Sequence, residues 1–135
     1  MSFFFLKLID INWTDFPVLN LHPHAWPQYN IFHLLGLRFN KKGVVFTPNL
    51  PEKIYSLKSP IIGFEKLHNG YSGWYLPLRE GVWTISIRLN NLELKNIKTV
   101  IVNGNTNKYA IIKNSVIFEG KGGYDNPLTW KIEID

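Results

Sequence analysis

Residues Ala25 to Pro51 read AWPQYNIFHLLGLRFNKKGVVFTPNLP, and the character of this stretch changes in the middle. Its first part has the spacing of a helix from about Gln28 to Leu35, which Gly36 would end. Its second part pairs LRF with VVFTP across the turn residues NKKG, which is the pattern of a tight hairpin. A helix that runs directly into a hairpin indicates a junction at which a β domain begins.

After this junction, apolar residues recur at every second position, which is the period of a β-strand. The clearest example is Val82–Leu89, and Leu128–Asp135 alternates in the same way. We expect Trp83 and Trp130 to point into the space between two sheets. Turn residues separate the strands at Asn40–Gly43, Asn69–Gly70, Glu80–Gly81, Asn103–Gly104, Lys113–Asn114 and Gly120–Gly123.

Eight or nine short strands at this spacing predict an all-β fold, namely an antiparallel β-sandwich with one short N-terminal helix. An open barrel of the same strands is the alternative. Two runs, Thr99–Val102 and Tyr109–Ile112, are apolar on both faces, as central strands are. The length of 135 residues favours a single domain, in which residues 1–36 form a strand, loop and helix and residues 37–135 form the sandwich.

The net charge of +5 comes from 12 Lys and 3 Arg against 10 acidic residues. The lysines are spread along the chain, which is typical of a solvated surface and predicts no nucleic-acid partner. The chain has no cysteine, which excludes disulfides, thiolate catalysis and Cys-ligated metals. The start MSFFFLKLIDINW has neither a signal-peptide pattern nor a membrane span, so the sequence favours the cytoplasm and predicts no membrane partner.

The polar residues form no recognisable catalytic or metal-binding constellation. The four histidines, His22, His24, His33 and His68, lack ligand spacing, so we expect no metal and no cofactor. Glu80, Glu119 and Asp125 are loop-borne carboxylates that the spacing does not pair, and Glu93 and Glu133 have the pattern of solvent-facing residues. The glycine-rich run Glu119–Asp125 lacks the features of a phosphate loop and is read as a hairpin loop. These observations favour a protein that is not an enzyme.

The densest aromatic stretch is Tyr71–Arg79, YSGWYLPLR. If it is extended, Trp74, Leu76 and Leu78 share one face, which we assign to the core. Tyr71, Tyr75 and Arg79 share the other face and, with Tyr124, are candidates for carbohydrate binding because aromatic rings stack on sugars. Sheet packing or an interface is the alternative role for these rings.

The junction resembles the end of the catalytic barrel in (α/α)6 six-hairpin glycoside hydrolases and phosphorylases, where the last helix leads into a C-terminal β-sandwich. The residues that carry the resemblance are Trp26, Leu35, Gly36, Leu37, Gly43, Pro48, Leu50 and Pro51. The Gly81-Val-Trp83 strand and the Val102-Asn-Gly104 turn also fit such a sandwich. The paired carboxylates of these enzymes belong to the barrel, so no catalytic residue is carried over.

The resemblance implies a non-catalytic accessory β-sandwich with a structural or docking role. Its interface would be the apolar set Phe3, Phe4, Phe5, Trp26, Tyr29 and Phe32. Since such a surface disfavours a monomer, the expected partner is a second copy or a separate catalytic-barrel chain. The alternatives are a carbohydrate-binding module and a virion or surface-assembly protein with a sandwich fold.

Overall fold

The computed structural model describes residues 35–49 and 54–135, and these residues form two β-sheets and one short helix. The strands are β1 (Arg38–Asn40), β2 (Gly43–Phe46), β3 (Tyr55–Lys58), β4 (Ile62–Leu67), β5 (Gly70–Tyr75), β6 (Gly81–Arg88), β7 (Ile97–Val102), β8 (Asn105–Thr106), β9 (Ala110–Ile112), β10 (Ser115–Gly122) and β11 (Leu128–Ile134). The helix α1 (Asn91–Lys95) connects β6 to β7.

The two sheets pack face to face around one apolar core. The five-stranded sheet has the order β1-β2-β6-β10-β9, and the six-stranded sheet has the order β3-β4-β5-β11-β7-β8. The predicted all-β sandwich is therefore confirmed. The predicted N-terminal helix lies outside the described residues apart from its last residue, Leu35, and Gly36 follows with a left-handed φ of 54°. The predicted domain boundary after residue 36 stays a prediction.

One strand pair departs from the antiparallel expectation, because β2 runs parallel to β6. After β2 the chain crosses to the other sheet for β3, β4 and β5, and only then returns as β6. Such a crossover delivers the returning strand in the same direction, which no short hairpin achieves.

The first hairpin forms as predicted. Asn40 begins the turn, and its side-chain Oδ1 accepts hydrogen bonds from the backbone N–H of Lys42 at 2.8 Å and of Gly43 at 2.9 Å. At Gly43, φ is 157°, and a Cβ there would collide with the backbone of Thr84 in β6. The glycine therefore allows β2 to approach its parallel neighbour.

The alternation in β6 and β11 places the same set of residues in the core as the sequence predicted. Trp83 and Trp130 are 8% and 3% exposed, and both lie between the sheets. The Nε1–H of Trp83 donates to the carbonyl oxygen of Gly122 at 3.1 Å. The other core positions in these two strands are Ile85, Ile87, Leu128 and Ile132.

Two local predictions are wrong. The run Tyr109–Ile112 is not a central strand, since Ala110–Ile112 forms β9 at the edge of the five-stranded sheet and all three residues are exposed. The reason is that the tight turn at Lys113–Asn114 pairs β9 with β10, and the chain then places β11 in the other sheet. Within residues 35–49 and 54–135, no strand pairs with the outer edge of β9.

The glycine-rich run is also not a loop throughout. Gly120 and Gly122 belong to β10, and the turn itself is Gly123–Asn126, closed by two backbone hydrogen bonds of 2.9 and 3.1 Å. A Cβ at Gly120 would collide with the side chains of Leu128 and Val102. These glycines therefore serve close packing between the sheets rather than flexibility.

Candidate functional site

A pocket lies beside α1, at one end of the sandwich. It has a volume of about 670 Å³, and its polar lining includes Lys66, Tyr71, Arg88, Asn90 and Glu93. A second pocket of about 290 Å³ shares Lys66 and Glu93 with it. Glu93 therefore lines both depressions.

The Glu93 carboxylate is held by donors on both oxygens. The hydroxyl of Tyr71 donates to Oε2 at 2.7 Å, and the backbone N–H of Asn90 donates to Oε1 at 3.3 Å. The Asn90 side chain in turn accepts from the backbone N–H of Glu93 at 2.8 Å, which completes a capping box at the start of α1. The helix thus fixes the carboxylate against the end of the sheet.

Burial raises the pKa of Tyr71 well above its ordinary value, and the hydrogen bond to Glu93 raises it further. The phenol is therefore a neutral donor at physiological pH. The Nζ atom of Lys66 lies 5.7 Å from the centroid of the Tyr71 ring. Lys66 and Arg88 give the pocket cationic groups that suit a polar or anionic ligand. The Glu93 carboxylate, whose two oxygens both accept hydrogen bonds, suits ligand binding better than proton transfer.

Sequence reasoning assigned Glu93 to the solvent face and missed this arrangement. The signal that would have found it is the spacing Asn90-x-x-Glu93, which is the capping-box pattern at a helix start. Its contact with Tyr71 spans 22 positions and depends on the fold.

The predicted carbohydrate-binding residues do not form one exposed surface. Tyr71 is buried in the core at 4% exposure. Tyr75 is partly buried and meets the Trp83 ring edge-on, with centroids 5.9 Å apart, and burial raises its pKa. The assignment of the two faces of this strand is therefore wrong. The physical reason is that Tyr71, Gly73 and Tyr75 face the core, where the small Gly73 leaves room for the neighbouring rings.

The other two candidates are exposed but lie elsewhere. The Cζ atom of Arg79 lies 5.6 Å from the centroid of the Trp83 ring, a cation–π contact, and Tyr124 is 61% exposed in the Gly123–Asn126 turn. Leu78, which was assigned to the core, is 91% exposed. Carbohydrate binding by these residues stays a prediction.

Trp74 lies on the outer face of the six-stranded sheet, although the sequence indicated a core position. A Cβ at Gly63, its direct neighbour across β4 and β5, would overlap the indole ring, so the ring lies over the glycine. Only the pairing register reveals this, because the two residues are 11 positions apart in the chain.

Three further expectations concern interfaces, metals and membranes. The apolar set Phe3, Phe4, Phe5, Trp26, Tyr29 and Phe32 lies outside the described residues and stays a prediction. Within residues 35–49 and 54–135, no group of three or more His, Asp or Glu side chains is arranged to hold a metal ion. In the same residues, no helix has the length and apolar character needed to span a bilayer.

Neither a protein-family model nor a curated protein matches this sequence. Among solved structures, the chain is similar to Ara127N-Se, a GH127 β-L-arabinofuranosidase from Geobacillus stearothermophilus T6, with a TM-score of 0.52 and 11% sequence identity. The match covers 84% of this chain and 19% of the arabinofuranosidase chain. At this identity the likeness shows a shared fold, so the chain has the fold of a small part of a glycoside hydrolase.

Proposed function

We propose that the chain is a non-catalytic accessory β-sandwich of the glycoside hydrolase kind, with a structural or docking role. The observation that carries this proposal is the fold shared with a part that makes up only 19% of the arabinofuranosidase chain. A likeness to so small a part of an enzyme supports the role of one domain beside a larger catalytic one. Fold alone does not transfer an activity, so none is assigned.

The placement of the carboxylates within residues 35–49 and 54–135 supports a role without catalysis. Glycoside hydrolysis needs two carboxyl groups held roughly 5–10 Å apart across the bond that breaks. Glu65 and Glu133 occupy outward positions on the six-stranded sheet, whereas Glu119 occupies an outward position on the five-stranded one. Glu93 is already held by Tyr71.

Among the carboxylates of residues 35–49 and 54–135, Glu80 and Asp125 belong to neighbouring segments. The Glu80 carboxyl group lies beside Gly123, two positions before Asp125 in the same turn. We expect the purified full chain to show no turnover of p-nitrophenyl pyranosides or furanosides above the buffer rate. Turnover that disappears in Glu80→Gln or Asp125→Asn would contradict the proposal.

The docking role places the contact at the apolar set of the N-terminal third. A second copy or a separate barrel chain would cover Phe3, Phe4, Phe5, Trp26, Tyr29 and Phe32, over an interface of about 1,000 Å² or more in total. Sedimentation of the full chain at micromolar concentration tests this. A dimer supports the second copy, and a monomer that binds a hydrophobic dye supports a separate partner chain.

A matched pair of variants sharpens this test. Phe32→Ser should weaken the dimer or the dye binding, whereas Tyr124→Ser changes an exposed ring in a turn of the sandwich and should leave both unchanged. A clean monomer without dye binding would show that no apolar surface is left to cover, and the docking role would then be wrong.

A further inference from the structure

The outer face of the six-stranded sheet carries a tryptophan at its centre. Trp74 is in β5, with Gly63 of β4 on one side and Thr129 of β11 on the other. The indole ring lies over Gly63, and its residue remains partly exposed. The ring therefore packs against the backbone at Gly63, while part of the residue remains accessible to solvent.

Polar side chains surround this ring at the spacing of the sheet. In the next row, Glu65, Ser72 and Lys131 are direct neighbours across β4, β5 and β11. Strands lie about 4.8 Å apart and alternate residues about 6.8 Å apart, so this row is within reach of one ring-sized ligand placed on Trp74. We call Trp74, Glu65, Ser72, Thr129 and Lys131 the Trp74 face.

The side chains of the Trp74 face are held in defined positions. The Ser72 hydroxyl donates to Oε2 of Glu65 at 3.1 Å, and the Lys131 ammonium lies 3.3 Å from Oε1 of Glu133. A shallow groove of about 120 Å³ runs beside the ring between Trp74, Ser72, Glu65 and Lys58. The face therefore offers one flat aromatic surface together with ordered hydrogen-bond donors and acceptors.

This combination matches the chemistry of a sugar ring. The C–H groups on the flat side of a pyranose carry partial positive charge and stack on the negative face of an indole, while the hydroxyls at the rim exchange hydrogen bonds with carboxylate, hydroxyl and ammonium groups. A nucleic acid would require a basic face, but Glu65 and Glu133 balance Lys131 and Lys58. An apolar protein partner would leave these charges unpaired.

We propose that the Trp74 face binds a β-linked pyranose polysaccharide, with one sugar ring stacked on Trp74 and its hydroxyls bonded to Glu65 and Lys131. The flat sheet suits a ribbon-like chain lying across it. This inference does not depend on the docking role proposed above, because the sandwich alone carries the residues.

The test is a titration of the ¹⁵N-labelled full chain with cellohexaose and xylohexaose, observed at the tryptophan indole N–H signals. The Trp74 signal is assigned by its loss in Trp74→Phe. We expect at least one of the two sugars to shift this signal in a saturable way. Trp74→Ala should weaken binding about tenfold or more, which is typical of a central aromatic contact.

Two further measurements make the outcome decisive. Since Trp74→Ala also uncovers Gly63, its folding is checked by melting, and Glu65→Ala and Lys131→Ala provide variants that leave the ring in place. Each should weaken binding by about two- to tenfold through the loss of a hydrogen bond. Tyr109→Ala, which removes an exposed ring beside β9 of the five-stranded sheet, is the control and should bind like the wild type.

The proposal is overturned if neither sugar shifts the Trp74 signal at a sugar concentration of about 10 mM. Binding with a Kd as weak as about 1 mM would be detected at this concentration. It is equally overturned if Tyr124→Ala loses binding while Trp74→Ala retains it, because the site would then lie at the turn.

Discussion

The packing of the core around β5 requires a residue without a side chain at Gly73. It faces inward in β5, between Phe64 of β4 and Trp130 of β11 in the same row of the sheet, and the two rings have centroids 5.8 Å apart. A Cβ at Gly73 would collide with the Trp130 ring and with the carbonyl oxygen of Gly63. The position therefore has no room for any side chain.

We expect Gly73→Ala to lower the free energy of unfolding by about 1–3 kcal/mol, which is the usual cost of overpacking. The matched control is Gly81→Ala, where a Cβ would meet only ordinary contacts of 3.6 Å or more with the Trp83 ring. It should change stability by less than about 0.5 kcal/mol. Urea unfolding of both variants measures the two free energies. Equal losses of stability would show that contact with the Trp130 ring does not require glycine at position 73.

Tyr71 gives the stability of the domain a dependence on alkaline pH. Since the pKa of Tyr71 is raised in the folded state, the unfolded state ionises first as the pH rises. The stability that this residue contributes is thus complete below pH about 10, the ordinary pKa, and is lost progressively above it.

Tyr71→Phe should therefore lower the free energy of unfolding by about 1 kcal/mol at pH 8, where it removes the hydrogen bond to Glu93. The difference in the free energy of unfolding between Tyr71→Phe and the wild type should become smaller as the pH rises from about 10 to 11. Urea unfolding at pH 8, 10 and 11 measures it, with Tyr124→Phe as an exposed control that matches the wild type throughout. A gap that stays constant with pH would contradict the assignment.

At the scale of elements, β9 is an edge strand, and lysines at both of its ends oppose its pairing with another chain. Tyr109, Ile111 and Ile112 are 40–54% exposed, and Lys108 and Lys113 flank them. An open edge with apolar side chains is a template for pairing with another chain, and lysines at its ends oppose such pairing.

We expect the double variant Lys108→Thr/Lys113→Asn to associate at lower concentration than the wild type. Asparagine is chosen at position 113 because φ is 49° there, and asparagine tolerates this conformation. The variant Lys98→Thr/Lys121→Thr removes the same charge from the interior strands β7 and β10 and should remain unaffected. Light scattering over a concentration series tests this, and equal association of both variants would assign the effect to net charge alone.

The elements themselves were predictable where one face of a strand is polar. Trp83 and Trp130 alternate with Thr84 and Lys131, so the sequence alone assigns them to the core, and the structure confirms it. In β5 the same reasoning fails because both faces carry aromatic residues, Tyr71 and Tyr75 on one side and Trp74 on the other. Two glycines decide which face of β5 enters the core. Gly63 of β4 leaves space for the Trp74 ring on the outer face, and Gly73 of β5 leaves space for the Trp130 ring on the inner face.

At the scale of the whole molecule, the all-β sandwich follows from the strand spacing, but the order of strands does not. The turns predict which strands are adjacent in the chain, such as β1 with β2. They give no information on the pairs β2–β6 and β5–β11, which join distant parts of the sequence. The contact of Tyr71 with Glu93 is of the same kind, because it exists only after the two sheets and α1 have been assembled.

The parallel pairing of β2 with β6 also determines when the domain can fold during its synthesis. Gly43 pairs with Thr84, about forty residues later in the chain. The first hairpin therefore leaves the ribosome long before its neighbour does, and β10 follows later still. The six-stranded sheet can be completed only after β11, the last strand in chain order, has also emerged, because β11 pairs with both β5 and β7. Pairings between such distant segments form slowly. The five-stranded sheet can therefore be completed once β10 has emerged, before the six-stranded sheet can.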